Sequence, residues 1–255
     1  MRGFTLIEMI ITILLLSIVG LFLGNIIQQG MGIYADSTAR EALIQQGKFV
    51  TERLTRELRE AVPNSILIEN DCIEFLPIIN SAIYQELPTP EAKSAVIRVL
   101  PIGKSISQGE RVIVYPNDPN AMRLDPTTEG QIAEVKENVD FNTSAAVMVD
   151  VKLTQTTGFE ISSPGKRLYF YLSPVAYCHV NSSIFRYASY ALSRSSLSPE
   201  ALGNGVLMAE NVKNADFQNL APELQRNGLV RFELLFADKG EEIQFVHDAL
   251  IYNAP

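Results

Sequence analysis

The chain has 255 residues, a net charge of −8 and 29 acidic against 21 basic side chains. A protein that binds nucleic acid needs clustered basic surface, so this balance argues against DNA or RNA as a partner. An N-terminal helix of about 60 residues would still leave enough chain for one hydrophobic core, or for two small ones.

The first predicted element is a long apolar helix near the N-terminus. No charged residue occurs between Met9 and Ala35. Residues 9–27 form an apolar run that is long enough, as a helix, to cross the hydrocarbon core of a bilayer. Arg2 is the only basic residue before Arg40. The positive-inside rule therefore predicts a cytoplasmic N-terminus and a body on the outer side of the membrane.

Glu8 stands at the start of this apolar run. A carboxylate at the edge of hydrocarbon is costly to bury, and such residues usually have a partner. If a peptidase cut the chain after Gly3, the new α-amino group on Phe4 would lie only four residues from Glu8. An amine at that place would be a suitable partner for the carboxylate.

Gly3, Phe4 and Glu8 belong to the segment GFTLIE at 3–8, which resembles the processing signal of type IV prepilins and of the pseudopilins of type II secretion. The resemblance implies that a prepilin peptidase cuts between Gly3 and Phe4, that the new N-terminal Phe4 is methylated, and that Glu8 is used during subunit assembly. The alternative is an ordinary signal anchor in which the glutamate occurs by chance.

The same resemblance implies a division of the chain into four parts. These are a prepilin leader at 1–3, a transmembrane and filament-core helix at 4–34, an amphipathic continuation of that helix at 35–62, and a periplasmic head at 63–255. The expected location is the bacterial inner membrane, crossed once, with the head in the periplasm and, after assembly, in an extracellular pilus.

The residue pattern supports the helical continuation. Apolar or small residues recur at intervals of three and four, as on one face of a helix: Leu43, Gly47, Val50, Leu54, Leu58 and Ala61. Pro63 predicts the end of a helix that runs from Phe4 to Val62. The glycines at 20, 24, 30 and 32 are points at which this helix could bend.

Beyond Pro63 the apolar pattern alternates, which predicts short β-strands. They fall at 65–68, 72–75, 95–99, 111–115, 146–153, 167–172, 184–190, 229–236 and 242–252. The polar connection at 193–205 has room for a helical turn. One helix followed by many strands predicts an α+β fold, a long N-terminal hydrophobic helix packed onto a β-rich globular head with room for two antiparallel sheets.

The two cysteines, Cys72 and Cys178, are predicted to lie in an oxidising compartment. We expect a disulfide between them. Two separate buried thiols are the alternative, because the number of cysteines does not fix their connectivity.

The residues give little support to catalysis. His179 and His247 are the only histidines, and neither belongs to a zinc-binding or phosphate-binding pattern. His179 follows Cys178, so on a strand the two side chains would point to opposite faces. We therefore expect a protein that is not an enzyme and has no cofactor.

One loop, at 117–125, contains residues that could bind a metal ion. Asn117, Asp118 and Asp125 are oxygen donors at a spacing that could suit calcium. Asn, Asp and Pro are also the residues that form turns, and Arg123 within the loop disfavours a cation. We therefore expect no metal ion in this loop.

A second resemblance concerns the C-terminal segment 229–255, which is similar to the C-terminal hairpin of a large minor pilin of the mannose-sensitive haemagglutinin (MSHA) pilus system, the MshO type. Segments 176–178 and 184–187 also resemble that protein. It implies a minor, initiating or tip-proximal subunit with a structural role in filament assembly and adhesion. Its partners would be major and minor pilins, the prepilin peptidase, an inner-membrane assembly platform and membrane lipid.

Two alternatives fit the same residues. The J-type minor pseudopilins of type II secretion have the same general outline, so both a pilus and a secretion system fit. A single-pass membrane-anchored periplasmic binding protein that never polymerises is the second alternative.

Overall fold

The computed structural model describes residues 5–102, 105–140, 147–194, 196–220 and 228–251. Its first element is one uninterrupted helix, α1 (Leu6–Arg59), of 54 residues. The glycines at 20, 24, 30 and 32 lie within it and do not break it. Among the described residues it is the one helix that is long and apolar enough to cross a membrane. The predicted long helix is therefore confirmed.

The helix ends at Arg59, slightly before the predicted Val62. The backbone N–H of Glu60 donates to the Glu57 carbonyl, which tightens the last turn. The N–H of Val62 instead donates to the Leu76 carbonyl at 2.8 Å. The chain is thus already paired with the head before it reaches Pro63.

The described part of the head consists of 15 strands and two helical turns. The strands are β1 (Leu67–Glu69), β2 (Cys72–Phe75), β3 (Asn80–Tyr84), β4 (Ser94–Pro101), β5 (Arg111–Val114), β6 (Glu129–Gly130), β7 (Ile132–Glu134), β8 (Val149–Phe159), β9 (Arg167–Tyr171), β10 (Val175–Val180), β11 (Ser183–Ala188), β12 (Val206–Glu210), β13 (Val212–Leu220), β14 (Leu229–Asp238) and β15 (Glu241–Leu250). A 3₁₀ turn covers Ala121–Arg123, and the short helix α2 (Pro199–Leu202) lies in the predicted polar connection. The α+β class is confirmed.

The described strands form three sheets and not two. A five-stranded sheet has the order β1-β2-β10-β11-β12, and a three-stranded sheet has the order β13-β14-β15. A seven-stranded sheet has the order β6-β8-β4-β3-β9-β5-β7. Only Asn211, at a φ of 60°, separates β12 from β13. One extended stretch of chain therefore leaves the five-stranded sheet and enters the three-stranded sheet.

The seven-stranded sheet closes on itself. Val135, just after β7, forms an antiparallel bridge with Leu153 of β8, and the Lys136 N–H donates to the Lys152 carbonyl at 2.9 Å. Strands β8, β4, β3, β9, β5 and β7 thus surround one core, which we call the barrel. Its interior is filled by buried side chains such as Ile97, Val112, Val151, Leu168 and Phe170. A barrel this small has a packed interior and not a channel.

The barrel is an insertion between two neighbouring strands. Phe75, the last residue of β2, lies opposite Val175, the first residue of β10. The chain therefore leaves the five-stranded sheet after β2, builds the barrel, and returns to the adjacent position. A further apolar cluster joins the barrel to the rest of the head, and it includes Val62, Leu76, Ile113, Met122, Tyr171 and Leu192.

The C-terminal part of α1 packs on the other two sheets. Its buried side chains, from Leu43 to Leu58, share one core with the inner faces of the five-stranded and three-stranded sheets. Its main neighbours are β12, β14 and β15. Gly47 allows the closest approach, because a Cβ there would lie 2.1 Å from the ring of Phe245. The helix and these two sheets are one structural unit.

Candidate assembly site

Glu8 lies in the first turn of α1 and is exposed. Thr5 precedes the helix in an extended conformation, and its side chain does not cap the helix. A carboxylate in this position is favoured by the positive end of the helix dipole. Gly3 and Phe4, the predicted cleavage site, lie outside the described residues. Glu8 is thus presented at the exposed start of the helix.

No other described residue buries the part of α1 that precedes Leu43. Its first buried residue is Leu43. Before that, large apolar side chains are strongly exposed, for example Leu16 at 71 %, Phe22 at 67 % and Ile33 at 72 %. An apolar surface of this extent needs a cover. Lipid chains or the apolar helices of other subunits can provide this cover, because either can make van der Waals contacts with the apolar side chains.

Two hydroxyl side chains in this part of α1 are bonded within the helix. The Thr12 hydroxyl donates to the Met9 carbonyl at 2.9 Å, and the Ser17 hydroxyl donates to the Ile13 carbonyl at 2.8 Å. Such bonds remove the cost of placing a hydroxyl in hydrocarbon. The carboxylate of Glu8 is an ionisable group that the apolar surface around the first turns must accommodate in addition.

The head also makes polar contacts with the C-terminal part of α1, at the edge of the apolar core. Arg186 of β11 donates from Nε to both carboxylate oxygens of Glu57, at 3.2 and 3.0 Å. Arg53, one turn earlier on α1, donates to the same carboxylate at 3.0 Å. The Glu210 N–H donates to the side-chain oxygen of Gln46 at 2.9 Å. These contacts fix the helix against β11 and β12.

The structure has a disulfide between Cys72 and Cys178, with sulfur atoms 2.04 Å apart. The two residues lie directly opposite each other on β2 and β10. Both are fully buried. The bond therefore ties together the two strands between which the barrel is inserted. The sequence predicted the pair but not this place in the fold.

A buried ionic cluster joins the barrel loops to β2, and nothing in the sequence pattern predicted it. Glu74 is fully buried. Its carboxylate accepts from Nε of Arg123 and from Nη2 of Arg194, both at 2.5 Å, and from the Tyr190 hydroxyl at 2.6 Å. Arg123 Nη2 also donates to the Ser65 carbonyl at 2.9 Å. Burial, followed by the charge of Glu74, raises the pKa of Tyr190, so this phenol stays a neutral donor.

The loop at 117–125, whose oxygen-bearing side chains could suit calcium, uses its polar groups for other contacts. Asp125 pairs with Arg111 at 2.9 Å. Asp118 accepts the backbone N–H of Asn120 at 2.8 Å, while Arg123 turns inward to Glu74. Within the described ranges no group of three or more His, Cys, Asp or Glu side chains is placed to hold a metal ion.

Both histidines take part in structural contacts of the sheets. His179 Nε2 lies 2.8 Å from the Val212 carbonyl, where β12 passes into β13. The ring of His247 packs 5.7 Å from that of Phe232. Cys178 beside His179 is in the disulfide. This sequence pair therefore forms no thiol nucleophile with an adjacent base.

Comparison with known proteins identifies one feature of the chain. Residues 1–24 match the family described as the prokaryotic N-terminal methylation motif. No curated protein and no solved structure matches the chain. The match contains Gly3, Phe4 and Glu8, together with the exposed first turns of α1.

Proposed function

We propose that this chain is a minor subunit that initiates a filament or lies near its tip. Its N-terminal methylation motif supports membership of the type IV pilin-like or pseudopilin proteins. The observation that carries the proposal is the combination of this motif with an exposed apolar helix surface, which extends as far as Leu43, the first buried residue of α1. A helix of this kind suits both a stay in the membrane and packing among like helices in a filament core.

The inserted barrel supports a minor role. It adds the segment between Phe75 and Val175 to a head that is otherwise built from α1 and two sheets. A subunit that occupies every position of a dense helical array has neighbours on most sides. A head enlarged in this way is easier to place at the tip, where one face has no neighbour.

The proposed life cycle follows from the motif. The prepilin peptidase cuts between Gly3 and Phe4 and the new N-terminus is methylated. The subunit then stays in the inner membrane, which its helix crosses once, with its head in the periplasm. Glu8 pairs with the α-amine of a neighbouring subunit during extraction by the assembly platform. The parts at 1–3, 4–34, 35–62 and 63–255 are the leader, filament-core helix, amphipathic helix and head of this proposal.

The pilus system that we favour is the MSHA type, with a role in biogenesis and adhesion. The resemblance of segment 229–255 supports this, and β14 and β15 within it form a long antiparallel hairpin. The J-type pseudopilin of type II secretion is the second candidate, since the same motif and helix serve both systems. We propose a structural role and no enzymatic activity in either case.

The test is the amount and location of the chain in its native host. Filaments are sheared from cells, purified and quantified by mass spectrometry against the major subunit. A minor subunit is expected in the filament fraction at far below equimolar amount, and its deletion should reduce the number of filaments more than their length. Confinement of the chain to the membrane fraction of cells that make normal filaments would favour the anchored binding protein instead.

A further inference from the structure

A cavity of about 290 Å³ lies beside the buried ionic cluster. Arg123 and Arg194 contribute to its wall, and the apolar part of the lining includes Leu67, Leu192 and Leu197. Ligand-binding cavities begin at roughly 300 Å³. The volume therefore suits a ligand of monosaccharide size.

The charges next to this cavity do not balance. Two guanidinium groups, those of Arg123 and Arg194, share the single carboxylate of Glu74. The side chains of both arginines are about nine-tenths buried, with exposures of 8 % and 10 %. Arginine stays protonated in proteins, and Tyr190 contributes a neutral hydroxyl. The cluster thus carries one excess positive charge in a poorly hydrated place, where buried charges are normally paired.

Arg194 is the side chain with donor capacity to spare. All three nitrogens of Arg123 have partners, namely Glu74, Pro119 and Ser65. Arg194 gives one nitrogen to Glu74 and another to the Leu192 carbonyl at a long 3.3 Å. Its Nε is buried without a hydrogen-bond partner in the described part of the chain. This atom is shielded from solvent, so a carboxylate ligand would instead approach the exposed tenth of the Arg194 side chain, which contributes to the cavity wall.

Glu69, also on the cavity wall, does not provide the missing charge. It is exposed, and its carboxylate accepts a long 3.4 Å bond from the Asn70 amide. Among the described side chains, the ion pairs of both arginines go to Glu74 alone. The wall also presents the neutral polar groups of Asn120, Ser193 and Ser196.

We propose that this cavity binds a small carboxylate-bearing ligand of the size of an acidic monosaccharide. The carboxylate neutralises the excess charge of the arginine pair, hydroxyl groups of the ligand meet the amide and serine side chains, and its carbon skeleton contacts the leucines. This inference is independent of filament assembly, because the site is formed within one head.

The test is isothermal titration of the full-length chain in a non-ionic detergent. The probe is D-galacturonate, and D-galactose is the matched ligand without the carboxylate. Galacturonate is expected to bind with a Kd on the order of 1 mM, and galactose at least about tenfold more weakly, a factor that corresponds to about 1.4 kcal/mol. Equal binding of both sugars, or no binding of galacturonate at roughly ten times that concentration, overturns the proposal.

Three variants locate the binding without touching the Glu74 cluster. Ser196→Asp places a negative charge on the cavity wall and should weaken galacturonate at least about tenfold. Ser162→Asp adds the same charge at an exposed position of the barrel and should leave binding unchanged. Glu69→Gln removes a repelling carboxylate and should tighten binding. Equal affinities of the Ser196→Asp and Ser162→Asp chains, or weaker binding by Glu69→Gln, would overturn the assignment of the site.

Discussion

Cys72 and Cys178 lie directly opposite each other on neighbouring strands, although 106 positions separate them in the sequence. The whole barrel is built between them. The disulfide therefore closes a large loop at its base, where the chain leaves the five-stranded sheet and where it returns. Closing a loop of this size contributes up to ~4.7 kcal/mol in the chain-entropy model.

Loss of the disulfide should lower the stability of the whole head. The double substitution Cys72→Ala/Cys178→Ala is expected to cost roughly 2–5 kcal/mol, measured as a shift of the denaturant midpoint under oxidising conditions. Under reducing conditions the wild type should move toward the variant. Equal denaturant midpoints of the wild type and the variant under oxidising conditions would mean that the disulfide does not restrain the unfolded chain.

Gly47→Ala should destabilise the packing of α1 on the three-stranded sheet. Its Cβ would lie 2.1 Å from the Phe245 ring, and that ring is itself held edge-on against Phe236 with centroids 5.6 Å apart. Forced displacement of this kind costs about 1–3 kcal/mol. The measurement is thermal unfolding of the full chain in detergent.

Gly32→Ala is the matched control, since no atom lies near its Cβ position. It should leave the melting temperature unchanged or raise it, because alanine favours the helix by about 1 kcal/mol over glycine. Adding Phe245→Ala should remove much of the effect of Gly47→Ala. Equal melting temperatures for Gly47→Ala and Gly32→Ala would refute the proposed contact.

Glu110 should make the barrel less stable as the pH rises. The residue is buried, one carboxylate oxygen accepts the Ser107 N–H at 3.0 Å, and the other has no hydrogen-bond partner in the described structure. Burial raises the pKa of this carboxyl above its ordinary 4.5, and the bonds from Ser107 oppose the shift only in part. The protonated form is therefore the one that the fold favours.

The sign of the pH dependence follows from linkage. Stability from the neutral carboxyl is fully present below pH 4.5 and is lost as the pH rises through the folded-state pKa. Glu110→Gln cannot ionise, so its stability relative to wild type should increase over that window. Denaturant unfolding at a series of pH values from about 4 to 7 measures the difference. Parallel curves for the two proteins would contradict the prediction.

Glu8→Val should separate assembly from anchoring. The substitution extends the apolar run, so membrane insertion and processing should be retained. Burying the unpaired carboxylate costs at least ~2.5 kcal/mol on insertion scales, and pairing with a neighbour's α-amine would offset this cost. We expect loss of the chain from sheared filaments with an unchanged amount in the membrane. Wild-type incorporation of Glu8→Val would favour the monomeric anchor.

The sequence predicted the parts of the fold whose pattern is local. The helix follows from the apolar run and from the spacing of residues such as Leu43, Val50 and Leu54, and β14 and β15 follow from their alternation. The short helix α2 formed in the predicted polar connection. β10 was missed because it is buried at nearly every position and does not alternate. The closure of the barrel depends on Val135 meeting Leu153, a pairing that no local pattern specifies.

The buried cluster could not be predicted for the same reason. Glu74 alternates with apolar neighbours in β2, which predicts exposure. It is buried because Arg123, 49 positions later, and Arg194 approach it from loops. From the sequence alone, Arg123 is only a basic residue that disfavours calcium in its loop. In the structure it is the link between the barrel loop and the five-stranded sheet.

The mass of the native N-terminal peptide shows whether the chain is processed and used as a pilin-like subunit. Protein purified from the host membrane and from filaments is digested and analysed by tandem mass spectrometry. We expect a mature chain that begins at Phe4 with one methyl group on its amino nitrogen. A mature chain that still begins at Met1, or one cut near Gly24 or Gly30, would contradict it.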